Sequence, residues 1–119
     1  LRSFFKMFYG VGTFRKPVSQ GVLDWTWGMA MQASPIATLA CVDAFGTTDF
    51  TADAAAIACP ALILHGTADQ NVPHKATGQR LSKMLPQARY VEYDGAPHGV
   101  LATNADEVNR DLLAFLREV

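Results

Sequence analysis

The chain has 119 residues, half of them apolar and 18% charged, with a formal net charge of −1 at neutral pH. That balance makes neither nucleic acid nor an anionic membrane an evident partner. No low-complexity run, internal repeat or apolar stretch of about 18 residues occurs, which argues against a transmembrane helix and against disorder over most of the length.

The first residue is Leu rather than Met, so the sequence is compatible with a missing amino terminus and is silent on a signal peptide. Leu1, Phe4, Phe5 and Phe8 stand at helical spacing, with Arg2, Lys6 and Tyr9 around them, and read as the end of an interrupted helix. Gly10 to Pro17 has two glycines, a proline and no usable period, so it reads as a loop. Ser19 can cap a helix running through Gln32. Its Val22, Leu23, Trp25, Trp27, Met29 and Met31 are apolar enough to predict burial on more than one side.

Ser34 followed by Pro35 reads as a cap and a first helical position, opening a helix through about Phe45 that stops at Gly46. That role competes with the idea of Ser34 as a nucleophile, which has neither a nucleophile elbow nor a preceding strand to support it. Thr47 to Ala58 is a connector with a short Ala-rich helical turn.

The organising stretch is Pro60 to Gly99. Pro60 to His65 is a continuous apolar run that stops at Gly66, as expected for a strand of a parallel sheet covered on both faces. Asp69 follows just past its carboxyl end. His74 to Leu85 reads as an amphipathic helix, with Ala76, Thr77, Leu81, Met84 and Leu85 on one face, Pro73 in its first turn and Pro86 ending it. Ala88 to Tyr93 reads as a second strand, closed by the turn signal Asp94-Gly95, with His98 four positions on.

A strand-helix-strand unit of this length is a right-handed crossover, so both strands present their carboxyl ends on one sheet edge, where ligands bind in open α/β sheets. Neighbouring strands lie roughly 5 Å apart, close enough to bring the Asp69 carboxylate to the His98 imidazole. A buried Asp beside a His fixes the tautomer and stabilises the imidazolium formed when the His takes a proton from a nucleophile. Two thirds of a triad are therefore readable, the bland alternative being an unrelated turn aspartate and loop histidine.

The other polar groups carry less. His65 ends a buried strand and reads as a satisfied core histidine; His74 opens the crossover helix near the same edge. No ligand spacing supports a metal. Asp94 is first a turn residue. Cys41 and Cys59 read as free buried thiols of a reducing, cytoplasmic compartment. Asn104 and Glu107 have capping-box spacing, and Val108, Leu112, Phe115, Leu116 and Val119 form one face of a last helix expected to pack on the sheet.

His65-Gly66-Thr67-Ala68-Asp69-Gln70-Asn71-Val72-Pro73 resembles the acid turn of the α/β-hydrolases, and Gly95-Ala96-Pro97-His98-Gly99 resembles their histidine turn. Val18 to Gly21, Ala44-Phe45, Thr48 to Phe50 and Asn109 to Leu116 are similar to the bacterial arylesterase and cofactor-free haloperoxidase branch, so the resemblance covers essentially the whole chain. It implies an α/β fold in which residues 1–49 form a helical cap segment and 50–119 a carboxyl-terminal core segment of strand, helix, strand and helix with parallel strands and an incomplete sheet.

The family's nucleophile is a Ser in a Gly-x-Ser-x-Gly elbow that precedes the Asp and the His in the chain. No such elbow occurs here, so the resemblance implies the carboxyl-terminal part of a serine ester hydrolase, with the nucleophile lying outside this chain. Asp69 and His98 are the implied catalytic pair. Trp27, Met31, Phe45, Asn71 and His74 are the expected pocket residues, with ordinary packing the alternative for each apolar one. In the resembled family the positions of Asn71 and His74 are usually apolar, which implies a more polar pocket or a different substrate.

The implied substrate is a small ester, or an acyl donor with hydrogen peroxide, and no cofactor is required. Two strands alone leave apolar faces and a free edge exposed. The expected partner is therefore a complementary chain carrying the Ser, or copies of this chain. A catalytically silent half-domain that self-associates is the alternative reading.

Overall fold

The structure is a computed structural model that describes residues 1–14 and 18–119. Positions 15–17 of the expected glycine-rich loop lie outside the described residues. The elements follow in the order α1 (Arg2–Phe8), α2 (Gln20–Ala30), α3 (Pro35–Thr47), α4 (Thr51–Ala55), β1 (Leu62–Gly66), α5 (Gly78–Met84), β2 (Arg89–Tyr93), α6 (Val100–Thr103) and α7 (Ala105–Glu118).

The two strands pair in parallel, in a register from Leu62 opposite Arg89 to Gly66 opposite Tyr93. They form a two-stranded sheet, bridged by α5. Beneath the carboxyl ends, Tyr93, Ala96, Val100 and Val108 make the buried core, with Phe14, Leu64 and Val91 packed against it. The core thus sits directly under the two turns that carry Asp69 and His98. No helix among the described residues is long and apolar enough to cross a membrane.

The helix ends follow local chemistry. Gly10 takes φ +64° after α1. It donates its N–H to the Met7 carbonyl at 3.0 Å while Val11 donates to Lys6 at 2.8 Å, the paired bonds of a Schellman ending. Ser19 and Ser34 accept from Val22 and Ala37, each at 3.3 Å, so both serines act as the caps expected of them.

Several expectations are corrected. The segment from Gln20 on buries no residue, with Trp25 65% and Met31 59% exposed, because a two-stranded sheet offers it no second surface. Helix α3 runs through Gly46 to Thr47 and lies open along its whole length. Its single glycine costs about 1 kcal/mol, too little to end a helix by itself.

The crossover helix begins at Gly78, not His74. Residues 74–77 form turns, and Thr77, at φ −123° and ψ −88°, breaks the ladder while its hydroxyl donates to the Pro73 carbonyl at 2.9 Å. Ala76 and Thr77 therefore leave the expected buried face, which passes through Gly78 and Leu85.

The Asn104–Glu107 capping box does not form; the Asn104 side chain instead accepts from the Thr103 hydroxyl at 2.9 Å. Helix α7 buries Val108 and Asp111, while Leu112, Leu116 and Val119 stay exposed. Cys41 and Cys59 are free but exposed rather than buried.

Candidate active site

Asp69 is the centre of the site. Its backbone N–H donates to Gly66 at 3.3 Å, which closes a tight turn at the end of β1. One carboxylate oxygen, Oδ1, accepts the backbone N–H groups of Asn71 at 2.9 Å and Val72 at 2.8 Å. The other, Oδ2, accepts from His98 Nδ1 at 2.6 Å and from His65 Nε2 at 3.1 Å. Burial pushes this carboxyl up, but the bonds from Val72, His98 and Asn71 outweigh it and hold Asp69 below the ordinary carboxylate value. An ionised carboxylate whose side chain is only 2% exposed is thereby kept fully hydrogen-bonded.

The acid turn and the histidine turn are stitched together. Ala68 N–H donates to the Ala96 carbonyl at 3.1 Å, and Gly95 N–H donates to the Thr67 hydroxyl at 2.8 Å. Gly66 lies so close to the second turn that a Cβ there would overlap the Ala96 carbonyl. Gly95, at φ +67°, makes the reversal after β2. Asp94 stays in that turn, accepting at 3.4 Å from the Thr67 hydroxyl.

His98 reaches out from this frame. Since a carboxylate only accepts, Nδ1 carries the proton, and Nε2 is left as the nitrogen available to a substrate or nucleophile. The ring is 34% exposed and packs edge-on against Phe8, with centroids 4.8 Å apart. Gly99 N–H donates to the Phe8 carbonyl at 2.8 Å, tying α1 to the histidine turn. Phe8, Tyr9, Gly99, Leu101, Ala102 and His98 line a largely apolar groove of about 270 Å³. Tyr9 turns its hydroxyl away, to Thr26 at 3.0 Å, and so joins α1 to α2.

The expected pocket residues lie elsewhere around this centre, and none of the five lines that groove. Trp27 is half-buried in a cavity of about 310 Å³ between α1 and α2, with the Arg2 guanidinium 4.2 Å over its ring. Met31 and Phe45 are 59% and 76% exposed. Asn71 is half-buried, and its Oδ1 is buried with no hydrogen-bond partner among the described residues. His74 is half-buried, its ring 6.2 Å from that of His65.

Sequence reasoning placed His65 in the core, which understates it. Its ring is satisfied, but by Asp69 itself and by the Val72 carbonyl at 2.9 Å. The four-residue spacing from His65 to Asp69 across a tight turn was the available signal. Phe8, seated on His98, had no signal beyond helical spacing. Among the described residues no group of three or more His, Cys, Asp or Glu side chains is placed to hold a metal ion.

No protein-family model matches the chain. It is 40% identical over 110 residues to a non-heme chloroperoxidase of Streptomyces lividans, covering 92% of this chain and 40% of that protein. It is 39% identical over 111 residues to a bifunctional esterase/perhydrolase of Acinetobacter calcoaceticus, with 92% and 40% covered. The solved bromoperoxidase from Bacillus anthracis superposes with a TM-score of 0.92 at 37% identity, over 98% of this chain and 42% of that one. The chain has part of the α/β-hydrolase fold, and these relatives are non-haem haloperoxidases and an esterase/perhydrolase. It spans about two fifths of the length of the relatives it matches.

The incomplete sheet follows from that share. Among the described residues, what the chain has of the α/β-hydrolase fold is two parallel strands with their helices.

Proposed function

We propose that this chain is the carboxyl-terminal, acid-and-base part of a serine ester hydrolase, and that the Ser nucleophile comes from a complementary chain or segment. The observation that carries the reading is the 2.6 Å bond from His98 Nδ1 to a buried, ionised Asp69, which leaves Nε2 free beside an apolar groove.

The chemistry runs through His98. Its Nε2 takes the Ser proton as the hydroxyl attacks the ester carbonyl, and Asp69 stabilises the imidazolium. His98 then gives the proton to the departing alcohol, which leaves an acyl-enzyme. Water, deprotonated by the same nitrogen, releases the acid; hydrogen peroxide in its place releases a peracid, which can oxidise halide. The groove beside Phe8 and Leu101 suits an apolar part of a small ester. Trp27, Met31, Phe45, Asn71 and His74 remain our pocket assignments for the assembled site. We assign the protein to a reducing, cytoplasmic compartment, a reading supported by two free, exposed thiols.

A second reading, a catalytically silent unit that associates with itself, is favoured by the open apolar face of α3. There Ile36, Leu39 and Phe45 are 83%, 70% and 76% exposed.

Native mass spectrometry of the purified protein separates the two. A second polypeptide at one copy per chain, together with hydrolysis of p-nitrophenyl acetate that falls about 10³-fold or more in His98→Ala, is expected of the hydrolase. Unchanged hydrolysis in that variant would sink it. Multiples of this chain alone, with no rate above background, would establish the silent unit.

A further inference from the structure

The proposed triad accounts for Asp69 and His98 but not for the third group on the same carboxylate. His65 Nε2 lies 3.1 Å from Asp69 Oδ2 and 2.9 Å from the Val72 carbonyl oxygen. Both partners are acceptors, so Nε2 carries a proton and shares it between them. Val72 also donates its own N–H to Asp69 Oδ1 at 2.8 Å. The imidazole therefore closes a ring of hydrogen bonds that runs from one carboxylate oxygen, through the Val72 peptide, to the other.

The mount for this ring is rigid. His65 is a strand residue, paired in register with Glu92 and one position before Gly66. Its Nδ1 edge rests on Gly78, where any Cβ would overlap that nitrogen. Its side chain is 13% exposed and that of Asp69 2%, which leaves water little room to stand in for the bond. The titratable groups around it are Asp69 and His98 on the two turns and His74, whose ring lies 6.2 Å away.

We propose that His65 is a positioning residue: its Nε2–H locks the rotation of the Asp69 carboxylate and so holds His98 in the Nδ1–H tautomer with Nε2 facing the groove. This rests on the reading that Asp69 serves His98 in proton transfer. Without the His65 bond, Oδ2 keeps only the His98 donor, and Oδ1, held by the Asn71 and Val72 N–H groups, is the carboxylate's only tether to its own turn. The His98 ring then follows a looser partner, and its other tautomer gains population.

Gly78 acquires a function in the same step. It is the residue that lets the Nδ1 edge of the ring approach the start of α5, where Thr77 leaves helical geometry.

The test is nitrogen-resolved NMR of the histidine rings in the 119-residue chain. His65→Leu removes the donor, His65→Gln returns an N–H near the position of Nε2, and Gly78→Ala pushes the ring off Asp69 while leaving His65, Asp69 and His98 intact. In His65→Leu and Gly78→Ala the His98 Nδ1 proton is expected to exchange with solvent about two- to tenfold faster, with the Nε2–H tautomer rising. His65→Gln is expected to restore most of the difference.

Unchanged exchange and tautomer in Gly78→Ala, with helical and strand signals intact, would overturn the proposal even if His65→Leu did not fold. In the assembled hydrolase, His65→Leu is expected to lower kcat with KM within about twofold. Failure of the wild type to hydrolyse esters would count against the hydrolase reading alone, because the NMR result does not depend on a nucleophile.

Discussion

The Tyr93 hydroxyl donates to Asp111 Oδ2 at 3.0 Å, joining the last residue of β2 to the middle of α7 inside the core. Burial first, and then this bond, pushes the Tyr93 phenol up to about 12. The neutral phenol is the form the fold stabilises. Its contribution is therefore complete below the ordinary value of about 10 and is lost as pH rises toward about 12. Tyr93→Phe should cost about 1 kcal/mol near neutral pH, measured by urea unfolding, and the gap to wild type should narrow between pH 10 and 12. A gap that is constant across that range would mean that the fold does not favour the neutral phenol.

Asp69 works in the opposite direction. Its folded value lies below the ordinary one of about 4, so its contribution is present above that value and is lost as pH falls through the lower folded value. In Asp69→Asn, an amide nitrogen meets two donors, His98 Nδ1–H and His65 Nε2–H. The variant should be less stable by about 2 kcal/mol above pH 5, and the difference should shrink below pH 4. Unfolding curves taken from pH 3 to 7 on both proteins check this. An undiminished difference at pH 3 would show that the carboxylate's charge is not what is lost.

Two glycines give opposite outcomes for the same added methyl. At Gly66 it would overlap the Ala96 carbonyl and lie 2.6 Å from that of Pro97, both backbone atoms of the histidine turn. Gly66→Ala must push that turn away from the acid turn. It should cost about 2 kcal/mol or more and lengthen the Asp69–His98 bond, visible as loss of the His98 Nδ1–H resonance. At Gly28, in the last turn of α2, the methyl meets nothing within 4 Å. Gly28→Ala should stabilise by about 0.5–1 kcal/mol through helix propensity. Equal effects at the two sites would contradict the close approach of the turns.

How much of this was legible in the sequence depends on what each residue needed. The pair Asp69–His98 followed from an apolar run ending at Gly66 and a crossover of fixed length, because strand direction alone brings the two turns to one edge. The caps at Ser19 and Ser34 were legible because they depend only on neighbours in the chain. The start of α5 was not. A helical period continues through Ala76 and Thr77, and the late start comes from contacts that the period does not carry: Thr77 leaves helical geometry with its hydroxyl on the Pro73 carbonyl, and the His65 ring is seated on Gly78.

Burial of α2, α3 and the outer stripe of α7 was misjudged for a different reason. Hydrophobicity says that a face seeks cover, not that the cover belongs to the same stretch of chain. Met31, Phe45 and Leu116 are 59%, 76% and 57% exposed, although their composition reads as core.

Ser34 offers the sharpest separation between a structural and a chemical role for a serine of this chain. Its hydroxyl accepts the Ala37 N–H at 3.3 Å, and its own carbonyl accepts both the Thr38 hydroxyl and the Thr38 N–H at 2.9 Å. A serine engaged this way at an exposed helix start has no hydrogen bond to a histidine among the described residues and no elbow to present it. Ser34→Ala should lower stability by about 1 kcal/mol, because one amide at the start of α3 loses its acceptor. Ester hydrolysis by the assembled protein should stay within about twofold of wild type, whereas His98→Ala should lower it about 10³-fold or more. Circular dichroism and p-nitrophenyl acetate turnover on the same preparations check both halves. Loss of turnover without loss of helix in Ser34→Ala would make Ser34 the nucleophile and would remove the need for a complementary chain.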